Sequence, residues 1–244
     1  MWIRKFFHAL LIIGIVAGCT SYSTTEDRSL TNEEESVQYP EPDPKIASLL
    51  NSYRDSLDAA MGEKIATVHD TLRFSKPEGS LGNLVSDALR YRAGSELREF
   101  VNMGVIGDSS FGLYLTPGDL TIGDVMEFMP YENHLVVLKL RGSKVSELAG
   151  QIAEMGGAPI SGMRFRIENG EAKGVLVNSQ ILDPNRIYMV ATSSWAANGG
   201  DRFPALWEYS DRIDLYDVNV RDLYVDYFKS RRDIFSKTDG RIRL

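Results

Sequence analysis

Two short segments hold the residues best suited to grip a flat, polar ring such as a nucleobase. In Met129-Pro130-Tyr131-Glu132-Asn133 an aromatic side chain stands two residues from a carboxamide. In the run from Thr192 to Pro204, Trp195 precedes Asn198, Gly199, Gly200 and Asp201. Each segment reads as a strand end or loop, where a ring can offer its π face and a neighbouring amide or carboxylate can hydrogen-bond a ligand edge. The two glycines admit backbone angles that other residues resist and let a ligand approach closely. Asp201 just beyond them can accept hydrogen bonds from vicinal hydroxyls. The tripeptide alone fits a tight turn with a solvated carboxylate slightly better.

Bond-breaking chemistry has few candidates. A hydrolytic metal site needs converging His, Asp, Glu or Cys ligands. Beyond the first eighteen residues the only histidines are His69 and His134, and neither stands in an Asp-x-His or His-x-His pairing. Both read as strand or surface residues. A serine nucleophile needs a partner base. Ser80 and Ser161 lack the nucleophile-elbow spacing, and read as a helix cap and a turn residue. No catalytic and no metal-ligating residue is assigned.

The elements that must position the ring-gripping residues are interspersed helices and strands. Ile46, Leu49, Leu50, Tyr53, Leu57 and Met61 recur at helical spacing. Lys64 to Phe74 alternates loosely as a strand, and Ser80 opens a helix striped by Leu81, Leu84, Val85, Ala88 and Leu89. Thr121 and Asp124 resemble a capping pair for a short helix, Ile122 to Met129. His134 to Leu140 is an apolar strand, followed by a helix from Gly142-Ser143 to the Gly156-Gly157 stop. Further strands lie at Phe100 to Val105, Met163 to Ile167, Gly174 to Val177 and Ile187 to Thr192, with a hairpin turn at Asn169-Gly170. A final helix carries Val220, Leu223, Tyr224, Tyr227 and Phe228. Hairpins among helices predict an α+β domain of mixed sheets from residue 45 to 244.

The first forty-four residues differ in texture. Arg4 and Lys5 precede an apolar run, Phe6 to Val16, too short to span a bilayer comfortably, and Ala17-Gly18-Cys19 follows. The segment looks like a bacterial lipoprotein signal, residues 1–18, with Cys19 as the lipid-bearing residue; an ordinary secretory signal is the alternative. Cys19 is the only cysteine, so no intrachain disulfide forms. Residues 19–44, rich in acids and closed by three prolines, read as a disordered tether reaching roughly 25–30 Å. The formal charge of −7 loses Arg4 and Lys5 with the signal and becomes about −9. Such an acidic chain is a poor partner for nucleic acid, whose binding relies on clustered Lys and Arg. The expected location is the bacterial cell envelope, periplasmic or outer-membrane-associated, through lipid on Cys19.

A series of short motifs narrows the reading. Leu81-Gly82-Asn83-Leu84-Val85-Ser86-Asp87-Ala88, Asn102-Met103-Gly104 and Gly118-Asp119-Leu120-Thr121 come first. Met129 to Asn133, Ile160-Ser161-Gly162, Leu182-Asp183-Pro184 with Tyr188, and Asn198-Gly199-Gly200-Asp201 follow. Taken in this order, the series resembles the C-terminal domain of the 5′-nucleotidase/UDP-sugar hydrolase family. The likeness runs from about Lys45 to Arg241 and implies that family's layered α/β/β/α fold.

In that family this domain binds the nucleotide, and a separate N-terminal metallophosphoesterase domain hydrolyses the phosphoric monoester. By motif position the resemblance makes Tyr131 and Trp195 the two faces of a base sandwich. Asn133 becomes the contact to the base edge, Asp201 the holder of the ribose, and Gly199 and Gly200 its turn. Gly107 stands where the family shows a phosphate-meeting arginine, which leaves Arg73 and Arg202 as the candidate phosphate contacts. The resemblance thus implies a nucleotide- or nucleoside-binding half of a split nucleotidase. Any divalent metals are expected only on a partner phosphoesterase, and this chain carries no cofactor of its own. Two alternatives stand beside it: a lipoprotein that captures nucleosides without catalysis, and a degenerate domain kept for protein contacts, in which Tyr131 and Trp195 are buried with no cleft between them.

Overall fold

The computed structural model describes residues 43–107, 109, 111–112, 114–235 and 237–244. The chain divides into two units, residues 1–47 and 48–244. The readings made on residues 1–42, Cys19 included, lie outside the described residues.

The described elements begin with helix α1 (Pro44–Met61), strands β1 (Lys64–Val68) and β2 (Leu72–Arg73), and helix α2 (Ser80–Leu97). Strands β3 (Met103–Val105), β4 (Tyr114–Leu115) and β5 (Gly118–Thr121) lead to α3 (Ile122–Phe128), β6 (His134–Arg141) and α4 (Gly142–Glu154). Strands β7 (Ile160–Ser161), β8 (Met163–Glu168), β9 (Glu171–Val177), β10 (Gln180–Ile181) and β11 (Ile187–Ser193) follow. The short helix α5 (Ser194–Ala197), the 3₁₀ turn Pro204–Trp207, β12 (Asp211–Asn219), α6 (Val220–Arg231), β13 (Asp233–Ile234) and β14 (Ile242–Arg243) complete the chain. This is the α+β class with mixed sheets that the sequence predicts.

The organising sheet has the order β12-β6-β11-β3-β7. Its β11–β3 pair is parallel and its other pairs are antiparallel. Side chains on a strand alternate between faces, and β6 buries both. Leu135 and Val137 join a core with Leu81, Val85 and Leu89 of α2 and Leu223, Tyr224 and Phe228 of α6. Val136, Leu138 and Leu140 join a second core with Val145, Leu148 and Ile152 of α4 and with Met163, Phe165 and Val177 from the β8–β9 pair. Double burial is why β6 reads as an unbroken apolar run rather than an alternation.

Local signals act as expected at several ends. The α3 N-terminus is a capping box, in which Thr121 Oγ1 accepts from the Asp124 N–H at 3.2 Å and Asp124 Oδ2 accepts from the Thr121 N–H at 2.7 Å. Helix α4 stops in a Schellman arrangement. Gly156 has φ +77, its N–H donates to Ala153 O, and the Gly157 N–H donates to Ile152 O, both at 2.9 Å. Asn169 and Gly170 take φ of +53 and +80, as a two-residue hairpin turn demands.

Three expectations need correction, and one strand goes unmarked in the sequence. Lys64 to Phe74 forms two strands in different sheets, because the chain bends at Asp70. Ser80 does not cap α2. Gly79 holds that place, packed so tightly that a Cβ there would lie 2.5 Å from Arg73 O, and Ser80 Oγ instead accepts from the Arg73 N–H at 3.3 Å. Ser161 lies on β7 rather than in a turn, and its hydroxyl donates to Asp87 Oδ1 at 2.6 Å. Strand β12 was unmarked in the sequence because Asp211, Arg212, Asp214 and Asp217 mask the alternation of Ile213 and Leu215 along a sheet edge. Helix α1 forms, but Ile46, Leu49, Leu50, Tyr53 and Leu57 on it are exposed.

Candidate functional site

The register of the central sheet brings the two ring-bearing segments together. Strands β6 and β11 run antiparallel with Leu135 opposite Ser193. The residues just before β6, Tyr131 to Asn133, and those just after β11, from Ser194 on, therefore emerge side by side at one end of the sheet. Ser193 caps the short helix α5, its Oγ accepting from the Ala196 N–H at 3.1 Å, which sets Trp195 in the first turn. Ser194 fastens the two segments. Its hydroxyl donates to Asn133 Oδ1 at 3.1 Å and accepts from the His134 N–H at 3.2 Å. Asn133 is held further by the Val220 N–H on its carbonyl at 2.7 Å. With Oδ1 engaged, the amide N–H pair is the group Asn133 can offer a ligand.

These segments form part of a cavity of about 710 Å³, within the usual size range for small-molecule sites. Tyr131, Asn133, Trp195, Gly200, Asp201 and Arg202 all line it. Tyr131 is 57% and Trp195 51% exposed, and neither ring stacks on another ring among the described residues. A degenerate domain with both rings buried and no cleft is not what the structure shows. Gly200 has a specific packing reason: a Cβ there would fall 2.0 Å from the Trp195 indole, so only glycine lets the turn pass beneath the ring. Gly199 has φ +102 and packs against Trp207 instead of lining the cavity.

Asp201 is only 7% exposed. Its Oδ2 accepts from the Gly107 N–H and its Oδ1 from Ser109 Oγ, each at 2.8 Å. This carboxylate holds Gly107 and Ser109 to the turn, a role the sequence reading did not foresee. It also explains Gly107 physically, because a Cβ at 107 would lie 2.3 Å from Asp201 Cγ. Any side chain there would displace the carboxylate. Behind it, Tyr224 is fully buried; burial, and after it the Asp201 charge, push its phenol well above the ordinary value.

The remaining wall comes from residues that sequence reasoning missed, Lys76, Met155, Gly157, Ala158 and Phe203. Gly157, with φ +124, lies so close to Pro77 that a Cβ would fall 2.2 Å from Pro77 O. The loop before α2 is thereby pressed on the loop after α4, and Lys76 Nζ donates to Met155 O at 2.5 Å. Arg202 lines the cavity in an exposed position. Arg73 does not line it; its guanidinium lies 5.5 Å from the Tyr114 ring centroid, beside the β2–β4 pair.

The histidines are absorbed elsewhere. His69 bonds Asp233 at 2.7 Å and stacks on Phe235 with centroids 4.4 Å apart. His134 Nε2 contacts Asp214 Oδ1 at 2.8 Å, and Arg212 forks onto both oxygens of Asp214, also at 2.8 Å. Arg212 hydrogen-bonding holds the Asp214 carboxyl below its ordinary value; burial opposes it, and His134 adds to it. Arg212 also donates to Asn198 Oδ1 at 2.8 Å, so this network braces the turn that carries Gly200 and Asp201. Among the described residues no group of three or more His, Cys, Asp or Glu gathers that could hold a metal ion.

Residues 64–208 match the family described as "5'-nucleotidase, C-terminal domain". The chain belongs to that family. Among curated relatives, Protein UshA of Yersinia enterocolitica is 26% identical over 196 residues, covering 75% of this chain and 34% of the relative. A 5'-nucleotidase of Vibrio parahaemolyticus is 25% identical over 204 residues, covering 79% and 35%. The chain thus spans about a third of the length of these relatives. The crystal structure of a 5'-nucleotidase precursor from Thermus thermophilus has the same fold, with a TM-score of 0.69 and 24% identity over 83% of this chain and 43% of that one. The family's C-terminal domain is therefore what residues 64–208 amount to, on both sequence and fold.

Proposed function

We propose that this chain is a nucleotide- or nucleoside-binding domain, the substrate-binding half of a nucleotidase whose bond-breaking centre is supplied by another polypeptide. The observation that carries the reading is the cavity of about 710 Å³ with two exposed, unstacked rings on its wall. Exposed Tyr131 and Trp195 leave apolar surface in water where a core position would remove it, and a base entering between them recovers that surface. Stacking suits the task because every base has a π face, at about 1–3 kcal/mol per base. Asn133 offers amide donors to the base edge. Asp201 shapes the floor through Gly107 and Ser109, and reaches a ribose with whatever hydrogen-bonding capacity the loop leaves it.

Positioning of this kind is a large part of catalysis, but no residue described in this cavity has a nucleophile–base arrangement. The proposed partner is a separate metallophosphoesterase carrying its own divalent metals; among this chain's described residues no group of three or more His, Cys, Asp or Glu gathers that could hold them. Lipid attachment at Cys19 and a place at the cell envelope belong to the same reading, on the strength of residues 1–19 alone.

Tryptophan fluorescence titrated with AMP and adenosine, beside a phosphate-release assay with added divalent metal, tests the proposal. Saturable quenching without phosphate release supports it. Hydrolysis of AMP by the chain alone would overturn the division of labour, and no binding of any nucleotide or nucleoside would overturn the pocket's role.

A further inference from the structure

A second cleft lies at the other end of strand β3. Gly107 and Ser109, which follow the strand, line the cavity already described. Glu99, Phe100 and Val101, which precede it, line a cleft of about 560 Å³ together with residues of α2, β7 and α6. The two sites share no lining residue. Local geometry explains how this cleft forms. Arg98 ends α2 in the left-handed region at φ +52, and the Glu99 N–H donates back to Gly94 O at 3.3 Å. The returning chain is then fastened to the helix, because Arg90 Nε donates to Val101 O at 3.0 Å.

Rings and guanidinium groups meet in this cleft. Tyr91 is 69% and Phe100 66% exposed, while Tyr227 is buried. The Arg90 guanidinium lies 5.5 Å from the Phe100 ring centroid, and that of Arg231 lies 5.0 Å from the Tyr227 centroid. Neither arginine makes an ion pair among the described residues. Of the two acids on the lining, Asp87 is engaged by Arg241 at 2.7 Å and by the Ser161 hydroxyl at 2.6 Å, and Glu99 is exposed. Arg90 uses one further donor on Asn178 Oδ1 at 2.7 Å, and Arg231 one on the Tyr227 hydroxyl at 3.1 Å. A guanidinium has five N–H groups, so both keep donors for a ligand. Burial holds the Arg90 group below its ordinary value; the Asp87 charge opposes this and that of Arg241 adds to it. An arriving anion relieves a half-buried charge of that kind.

We infer that this cleft docks an acidic peptide segment of a separate protein, an Asp or Glu carboxylate reaching Arg90 and Arg231 while a neighbouring large apolar side chain lies on Tyr91 and Phe100. Two cations in a chain of formal charge −7 are too few for a polyanion such as nucleic acid. They suit one carboxylate, which a guanidinium meets in a forked, charge-assisted geometry. Open aromatic rings beside arginines are also the side chains that carry most of the energy in protein interfaces. The inference is independent of the base-binding reading. Because the cleft and the cavity stand at opposite ends of β3, a nucleotide and a peptide can be held at once.

The test is fluorescence anisotropy of the full chain with a panel of labelled seven-residue peptides. Each carries a central Phe or Leu beside one or two Asp or Glu residues, and a matched panel has Asn and Gln in place of the acids. Acidic peptides are expected to bind saturably, and their amide counterparts about tenfold more weakly, the scale of one charge-assisted hydrogen bond. Arg231→Gln and Tyr91→Ser, both at exposed positions, should each weaken the acidic peptides several-fold, with the melting temperature and the AMP titration unchanged. Binding of no acidic peptide overturns the inference, and so do equal affinities for acidic and amide peptides or variants that bind as the wild type does. Phenylacetate that binds as tightly as the peptides would make the cleft a small-molecule site and overturn the peptide assignment. A wild-type dimer in sedimentation that Tyr91→Ser dissolves would make a second copy the occupant, against the inference. Failure of AMP and adenosine to bind would remove the base site and leave this inference standing if the acidic peptides still bind.

Discussion

Phe128 and Tyr131 are three residues apart and meet opposite fates. Phe128 belongs to an interior group with Phe74, Phe111 and Tyr224, whose ring centroids lie between 5.0 and 6.4 Å apart. Tyr131, beyond the end of α3, stands open to solvent on the cavity wall with Trp195. Packed rings contribute by leaving water and by edge and offset contacts with one another. Open rings contribute little to folding and keep their faces available. On the proposed reading the interior group carries stability and the cavity pair carries binding, and substitutions in the two places should separate those properties.

The largest effect is expected inside. Phe128→Ala removes a buried ring and should cost about 3–5 kcal/mol, read as a lower urea midpoint. In the cavity, Trp195→Ala should weaken nucleotide binding by about 1–3 kcal/mol while moving stability by no more than about 0.5 kcal/mol. Calorimetric binding and a urea titration on the same sample check both halves. If Trp195→Ala instead unfolds the chain and spares affinity, the division between the two ring groups is wrong.

Gly200→Ala sharpens the comparison, because the new methyl collides with the Trp195 indole and must push the ring from its place. A several-fold loss of affinity is expected, with far-UV circular dichroism unchanged. The smallest effect belongs to the brace behind the turn. The folded carboxyl of Asp214 is held below its ordinary value, chiefly by Arg212. Its contribution to stability is therefore complete above the unfolded value of about 3.9 and is lost as pH falls through the folded value. Asp214→Asn should flatten the stability profile in that acidic window, and an unaltered profile there would deny the brace its role.

Legibility in the sequence followed physical range. The ordered motifs pointed to the family, and local chemistry set the Thr121 capping box, the Asn169-Gly170 hairpin and the glycine stop of α4. Tyr131, Asn133, Trp195 and Asp201 were legible as a group, and the structure gathers them in one cavity. Lys76 was not, because nothing near it in the chain announces that a glycine eighty-one residues later presses its loop against the end of another helix. The pinning of Gly107 and Ser109 by Asp201 depends in the same way on a contact between distant segments. Strand β12 was hidden by its own charges at a sheet edge.

The central claim is that Tyr131 and Trp195 grip a base between them. Isothermal titration of the wild type and of the Tyr131→Ala/Trp195→Ala double variant, each against AMP, GMP, UMP and CMP, tests it most directly. The account predicts saturable binding of at least one nucleotide by the wild type and none at the same concentrations by a double variant that keeps the wild-type melting temperature. A double variant that binds as tightly as the wild type would contradict it.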